Sequence, residues 1–125
     1  MKKIAVLFHG HLRSYSDTSA YFKKNVVDQL VENNLSVDLF LHTWDVEEFS
    51  SKTWHEGAKV FKPTCHKKIE SHYNPKLYKI EKQKLVNTER ILFTRPYSAI
   101  KSVWYSFNEA FNLMKQNEEK LNFKY

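Results

Sequence analysis

Two short stretches concentrate the side chains that can do chemistry. His9-Gly10-His11-Leu12-Arg13-Ser14 places two imidazoles, a guanidinium, a hydroxyl and a glycine in six residues, and His42-Thr43-Trp44-Asp45 adds four more polar or aromatic groups. A guanidinium grips phosphate oxygens as a planar fork. A glycine lets the backbone turn sharply and approach a ligand closely. The Asp45 carboxylate can accept hydrogen bonds from a base or ribose, and the Trp44 indole can pack on a ring. Plainer roles stand beside these: Arg13 as a surface cation before a helix, Trp44 as an ordinary core aromatic. His9, His11, His42 and Asp45 hold four donor groups of metal-ligand type, but His-x-His at a strand end is common by chance, and no metal is assigned. The single Cys65 excludes a disulfide within the chain, and no orienting acid stands near it in sequence to make it a nucleophile.

The elements that must position these groups are legible from hydrophobic pattern. Ile4 to Phe8 is an uninterrupted apolar run of strand length, which predicts a central parallel strand buried on both faces. Ser16 or Asp17 can cap a helix on which Tyr21, Phe22, Val26, Val27, Leu30 and Val31 recur at helical spacing until Asn33-Asn34. Val37 to His42 reads as a second strand, completing a βαβ unit with a right-handed crossover. Both polar stretches then sit at the carboxyl ends of neighbouring parallel strands, where open α/β sheets bind ligands. Beyond them Pro63 and Pro75 interrupt the pattern, so residues 45–75 predict short helical pieces and loop. Leu77 to Ile80 reads as an edge-like third strand. A last helix begins near Pro96 and Ser98, and its stripe of Ile100, Val103, Trp104, Phe107, Phe111 and Met114 predicts a core-facing side.

Composition bounds the rest. The chain has 125 residues, enough for a single α/β domain, with 42% hydrophobic and 15% aromatic residues to build a core. Only Gly10 and Gly57 are glycine, which excludes a Walker-type phosphate loop and a dinucleotide fingerprint. No apolar run reaches the ~20 residues of a membrane span. The run after Met1-Lys2-Lys3 ends at His9, too short for a secretory leader. A cytoplasmic location is therefore expected. The net charge of +6 is unevenly placed: residues 52–84 hold nine lysines against three glutamates, leaving eleven basic and eleven acidic residues elsewhere. This basic, irregular segment is either a lysine-rich solvated face or a docking surface for an anionic partner such as a glycan, a diphosphate or a lipid headgroup. Its aromatics Trp54, Phe61, Tyr73 and Tyr78 could stack on single-stranded bases. With 17 lysines to 3 arginines and no nucleic-acid motif, that partner is disfavoured.

IAVLFHGHLRSY, VDLFLHTWD and the late SAIKSVWYSFNEAFNLMK together resemble the opening half of bacterial and viral glycosyltransferase-like proteins associated with surface-polysaccharide biosynthesis. The resemblance implies a Rossmann-like, GT-A-type open parallel sheet of about three strands with flanking helices. It implies a nucleotide-sugar donor at Gly10, Arg13, Ser14, Thr43, Trp44 and Asp45, and a glycan acceptor. Proteins of that family continue into a strand carrying an acidic metal-binding motif, whereas this sequence ends at Phe123-Lys124-Tyr125. A truncated unit is thus expected, inactive alone, using Mg²⁺ or Mn²⁺ only if another segment completes it. In that fold the next strand lies beside the first, so its absence predicts a bare edge on Ile4–Phe8, open to a second polypeptide or another copy. Competing with this is a non-enzymatic module that uses residues 52–84 to engage nucleic acid, membrane or glycan.

Overall fold

The computed structural model describes residues 1–47, 63–83, 91–92 and 95–125, with backbone alone for 91–99. Three parallel strands form one open sheet: β1 (Lys2–His9), β2 (Leu35–Trp44) and β3 (Leu77–Glu81), in the order β1-β2-β3. The register is continuous, from Lys2 beside Leu35 to His9 beside His42, and from Phe40 beside Leu77 to Trp44 beside Glu81. This is the expected α/β open parallel sheet with flanking helices.

Between β1 and β2 the chain runs through α1 (Tyr15–Phe22), a π-helical turn (Lys23–Val27) and α2 (Asp28–Glu32). The π turn changes which residues face inward. Phe22, Val27 and Leu30 are half-buried, while Tyr21, Val26 and Val31 from the same sequence stripe are exposed. A π turn holds an extra residue, so the inward positions step by five and then three instead of keeping the 3.6 period. Asn34, at φ 60, ends the crossover in the left-handed conformation that asparagine tolerates. After β2 come α3 (His66–Tyr73) and β3. The short antiparallel pair β4 (Ile91–Leu92) and β5 (Arg95–Pro96) follows, and then the long α4 (Tyr97–Leu121).

Successive strand residues point to opposite faces, which assigns the layers. Phe8 packs on Phe22 and Tyr73, placing α1 and α3 on one face, whereas its neighbour His9 meets Phe107 of α4 on the other. The helix α4 runs against the strands: Ser106 and Tyr105 lie at their carboxyl ends, and Tyr125, beyond its last turn, bonds Asp38 near the start of β2. The core is centred on β2, where Leu39 to Trp44 are buried, with Ile69, Ala110 and Leu113 packed around it.

Two expectations are corrected. Ile4–Phe8 is not a central strand buried on both faces: β1 lies at one edge of the described sheet and these residues are half-buried. The long connection after β2 brings β3 to the other side of β2, which makes β2 the central strand. The α4 stripe is likewise displaced. Ser106, Ala110, Leu113 and Asn117 face the sheet, while Val103, Trp104, Phe107 and Phe111 are exposed. The row at 106, 110, 113 and 117 keeps the same helical spacing as the aromatic one, and the bonds of Ser106 to Gly10 and His42 anchor it against the sheet.

Candidate functional site

The parallel register carries the site. Because His9 lies beside His42, both polar stretches leave the sheet at the same end, next to each other. Between them opens a pocket of about 290 Å³ lined by Leu7 to Leu12, Leu41, His42 and Tyr73. Gly10 turns the chain over this opening at φ +98, a conformation that strains any residue with a Cβ, although a Cβ there would meet no neighbour within 4 Å. Arg13 lies in the same loop at φ 36, a left-handed geometry that costs about 1–3 kcal/mol for a side chain of its kind. The Arg13 amide donates to the Glu47 carbonyl at 2.9 Å, and the Tyr15 hydroxyl donates to Glu47 Oε1 at 2.9 Å, so the loop is pinned to the segment after β2. Burial and the bond to Glu47 push the Tyr15 phenol up to about 12.

The end of β2 is built differently. Trp44 is buried, stacked on Tyr105 at 5.9 Å and edge-on to His42. Thr43 is fully buried, and its hydroxyl donates to the Gly10 carbonyl at 2.8 Å. Asp45 is half-buried: its Oδ1 accepts the Gln83 amide at 2.9 Å, its amide donates to the Glu81 carbonyl, and its carbonyl accepts from Thr64. Gly10, Arg13 and Ser14 are thus brought together in one loop, with Arg13 and Ser14 exposed, while Thr43, Trp44 and Asp45 reach inward and tie β1, α4 and β3 together.

Behind the pocket floor lies a polar network that sequence spacing gave no means of assembling. The Gly10 amide donates to Ser106 Oγ at 2.8 Å, Ser106 Oγ lies 2.6 Å from His42 Nδ1, and His42 Nε2 lies 3.2 Å from Glu81 Oε2. Tyr105 donates to the same carboxylate at 2.7 Å, and Lys79 bridges Glu81 and Glu109, each at 2.6 Å. A carboxylate cannot donate, so His42 Nε2 must carry the proton, Nδ1 must accept, and the Ser106 hydroxyl must donate to it. Every member then has a partner. Burial lowers the His42 imidazole below its usual value, against the pull of Glu81, and so favours this neutral form. Burial alone would raise the Glu81 carboxyl, but hydrogen bonds from Lys79, Tyr105 and His42 outweigh it and hold the group at about 2.

The Ser–His–Glu chain resembles a nucleophile relay in composition only. Ser106 and His42 are fully buried, and both His42 nitrogens are engaged, so this relay presents no free nitrogen to the pocket. Its physical effect is to fix Gly10, and with it the loop. Ser106 and Glu81 were not marked by the sequence, being 64 and 39 residues from His42 in the chain, and Tyr73 was marked only as an aromatic of the basic segment. One local signal existed: Ser106 opens the row of small and apolar residues 106, 110, 113 that faces the sheet.

Among the described residues no group of three His, Cys, Asp or Glu side chains is placed to hold a metal ion, and the set His9, His11, His42 and Asp45 is not such a group. Cys65 precedes α3 as a free thiol. Of the aromatics in the basic segment, Tyr73 packs against Phe8, Phe22 and Tyr15, and Tyr78 donates to Glu70 at 2.7 Å. Trp54 and Phe61 lie outside the described residues. No described helix is long and apolar enough to cross a membrane. No protein-family model, curated protein or solved structure matches the chain.

Proposed function

We propose that this domain is a glycosyltransferase-like nucleotide-sugar-binding unit whose ligand occupies the pocket at the carboxyl ends of β1 and β2. The observation that carries the reading is the pairing of His9 with His42, which places both polar stretches at one end of the sheet over a common opening. A cavity of about 290 Å³ sits at the low end of the roughly 300–1,000 Å³ typical of ligand pockets. It suits one moiety of such a ligand, with the remainder crossing the exposed rim at Arg13 and Ser14.

In this reading Leu7, Leu12 and Tyr73 contact the apolar part of a ring, and the Arg13 guanidinium neutralises diphosphate charge. Thr43, Trp44 and Asp45 support the rim from behind. The neutral His42 network holds Gly10 in place, and in this reading the unit binds and orients a donor and is inactive alone. With no metal-ligand cluster among the described residues, no step through Mg²⁺ or Mn²⁺ is assigned to them. A glycan acceptor and the groups that act on it belong to a completing segment or partner.

Thermal unfolding in the presence of UDP-, GDP- and CDP-sugars tests this. A ligand that binds only the folded chain raises the midpoint in proportion to the logarithm of its concentration. At least one nucleotide sugar is expected to do so, with the effect reduced in Arg13→Gly. A folded chain whose midpoint does not move at millimolar ligand would remove the proposal.

A further inference from the structure

Four residues other than glycine hold a positive φ among the described residues, and three of them are asparagines: Asn34, Asn74 and Asn122. Each stands within two residues of a helix end, where asparagine's short polar side chain tolerates the left-handed turn. The fourth is Arg13, at φ 36, one residue past the lining of the pocket. Glycine or asparagine would make the same turn with less strain, so the turn alone does not account for an arginine there. Its side chain does. Arg13 is exposed, and among the described residues no carboxylate or other acceptor engages its guanidinium. Ser14 beside it begins α1 without a side-chain capping bond.

A strained backbone persists only where its surroundings over-determine it. Around Arg13 three bonds close a ring. The Arg13 amide donates to the Glu47 carbonyl, the Tyr15 hydroxyl donates to Glu47 Oε1, and the Tyr15 amide donates back to the Leu12 carbonyl, each at 2.9 Å. Tyr15 and Glu47 are both buried, and His72 of α3 backs the Tyr15 ring edge-on. Glu47 thus meets Arg13 through the main chain, which secures the turn and leaves the guanidinium to a ligand. We propose that Tyr15 and Glu47 are positioning residues, whose buried hydrogen bond holds Arg13 in the turn that presents its guanidinium to the diphosphate of a nucleotide sugar. The assignment rests on the nucleotide-sugar reading and names the device that sets its cation. The Tyr15 phenol, pushed up to about 12, keeps its proton through the neutral range and so remains the donor.

Isothermal titration calorimetry with UDP-, GDP- and CDP-sugars tests the proposal as a double-mutant cycle, on chains shown to be folded by circular dichroism. Arg13→Ala is expected to weaken binding about 30-fold, the loss of a charged hydrogen-bonding partner. Tyr15→Phe should weaken it at least about fivefold in the wild-type background. In the Arg13→Ala background the same change should cost less than about twofold, because the hydroxyl acts through Arg13. A purely structural role would weaken both backgrounds alike, and that result overturns the proposal. So does a Tyr15→Phe chain that binds as tightly as wild type. Should Tyr15→Phe not fold, variants of its partner decide. Glu47→Gln keeps an Oε1 acceptor for Tyr15 and should bind within about twofold of wild type, whereas Glu47→Ala should lose at least about fivefold. Equal losses in these two overturn the proposal as well. A wild-type chain that binds none of the nucleotide sugars is a distinct outcome: it removes the nucleotide-sugar reading itself, and the positioning role falls with it.

Discussion

The ends of β1 and β2 lie side by side, carry similar residue types and serve opposite purposes. Beyond β1 the chain opens into a strained loop, with Gly10 at φ +98 and Arg13 at φ 36, that lines a pocket and leaves Arg13 and Ser14 in solvent. At the end of β2 the same kinds of group turn inward: His42, Thr43 and Trp44 are buried and bonded to Ser106, Gly10, Glu81 and Tyr105. Hydrogen-bonding capacity at a strand end therefore does not by itself mark a ligand contact. A side chain still within the pairing register, as Thr43 and Trp44 are beside β3, is drawn into the core. One past the last paired residue is free to face a ligand.

The largest expected effect separates these two ends. Trp44→Ala should destabilise the fold by about 3–5 kcal/mol in urea denaturation, the usual cost of deleting a packed aromatic. Arg13→Ala should cost less than about 0.5 kcal/mol, as at an exposed site. Equal losses would show that the two ends are built alike. Next in size is Ser106→Ala, which leaves the Gly10 amide and His42 Nδ1 without their partner and should cost about 1–3 kcal/mol. Faster exchange of the Gly10 amide would accompany it.

Acid sensitivity sharpens the same contrast. The folded His42 titrates below its ordinary value of 6.5, so the unfolded chain binds the extra proton first as pH falls. Stability from this group is complete above about pH 6.5 and declines as pH drops toward the lowered folded value. Glu81, held near 2 against an ordinary 4.5, has the same sign in a lower window and loses its contribution between those values. His42→Gln should flatten the part of the stability profile that begins to fall below about pH 6.5, while leaving the lower decline of Glu81 in place. An unchanged slope would mean that another group titrates there. An effect of opposite sign is expected for Arg13→Gly, which relieves a left-handed conformation and should raise stability by up to about 1 kcal/mol while weakening nucleotide-sugar binding.

Much of the frame was legible because it is written in local pattern. Apolar runs 4–8 and 37–42 gave two parallel strands, Leu77–Ile80 gave an edge strand, and Pro96 marked the start of α4 within a residue. That the two polar stretches leave the sheet at the same end followed from strand direction alone. What local pattern could not supply was lateral order. An apolar strand does not say which neighbour is present, so β1 read as central while β2 took that place. Periodicity finds a helical stripe without saying which of two stripes faces the sheet, and in α4 the small-residue row won. In the crossover helix the π turn broke the period itself. The Ser106–His42–Glu81 network was out of reach because three distant segments supply it, and only the packing of α4 brings them together.

The central claim is that the first loop holds a nucleotide sugar while the end of β2 supports it from within. Following backbone amides and indole N–H groups by NMR during titration with a nucleotide sugar tests it most directly. The account expects the largest shifts along His9–Ser14, with Trp44 Nε1–H little changed. Shifts centred on Trp44 and α3 with the loop silent, or none at millimolar ligand, would contradict it.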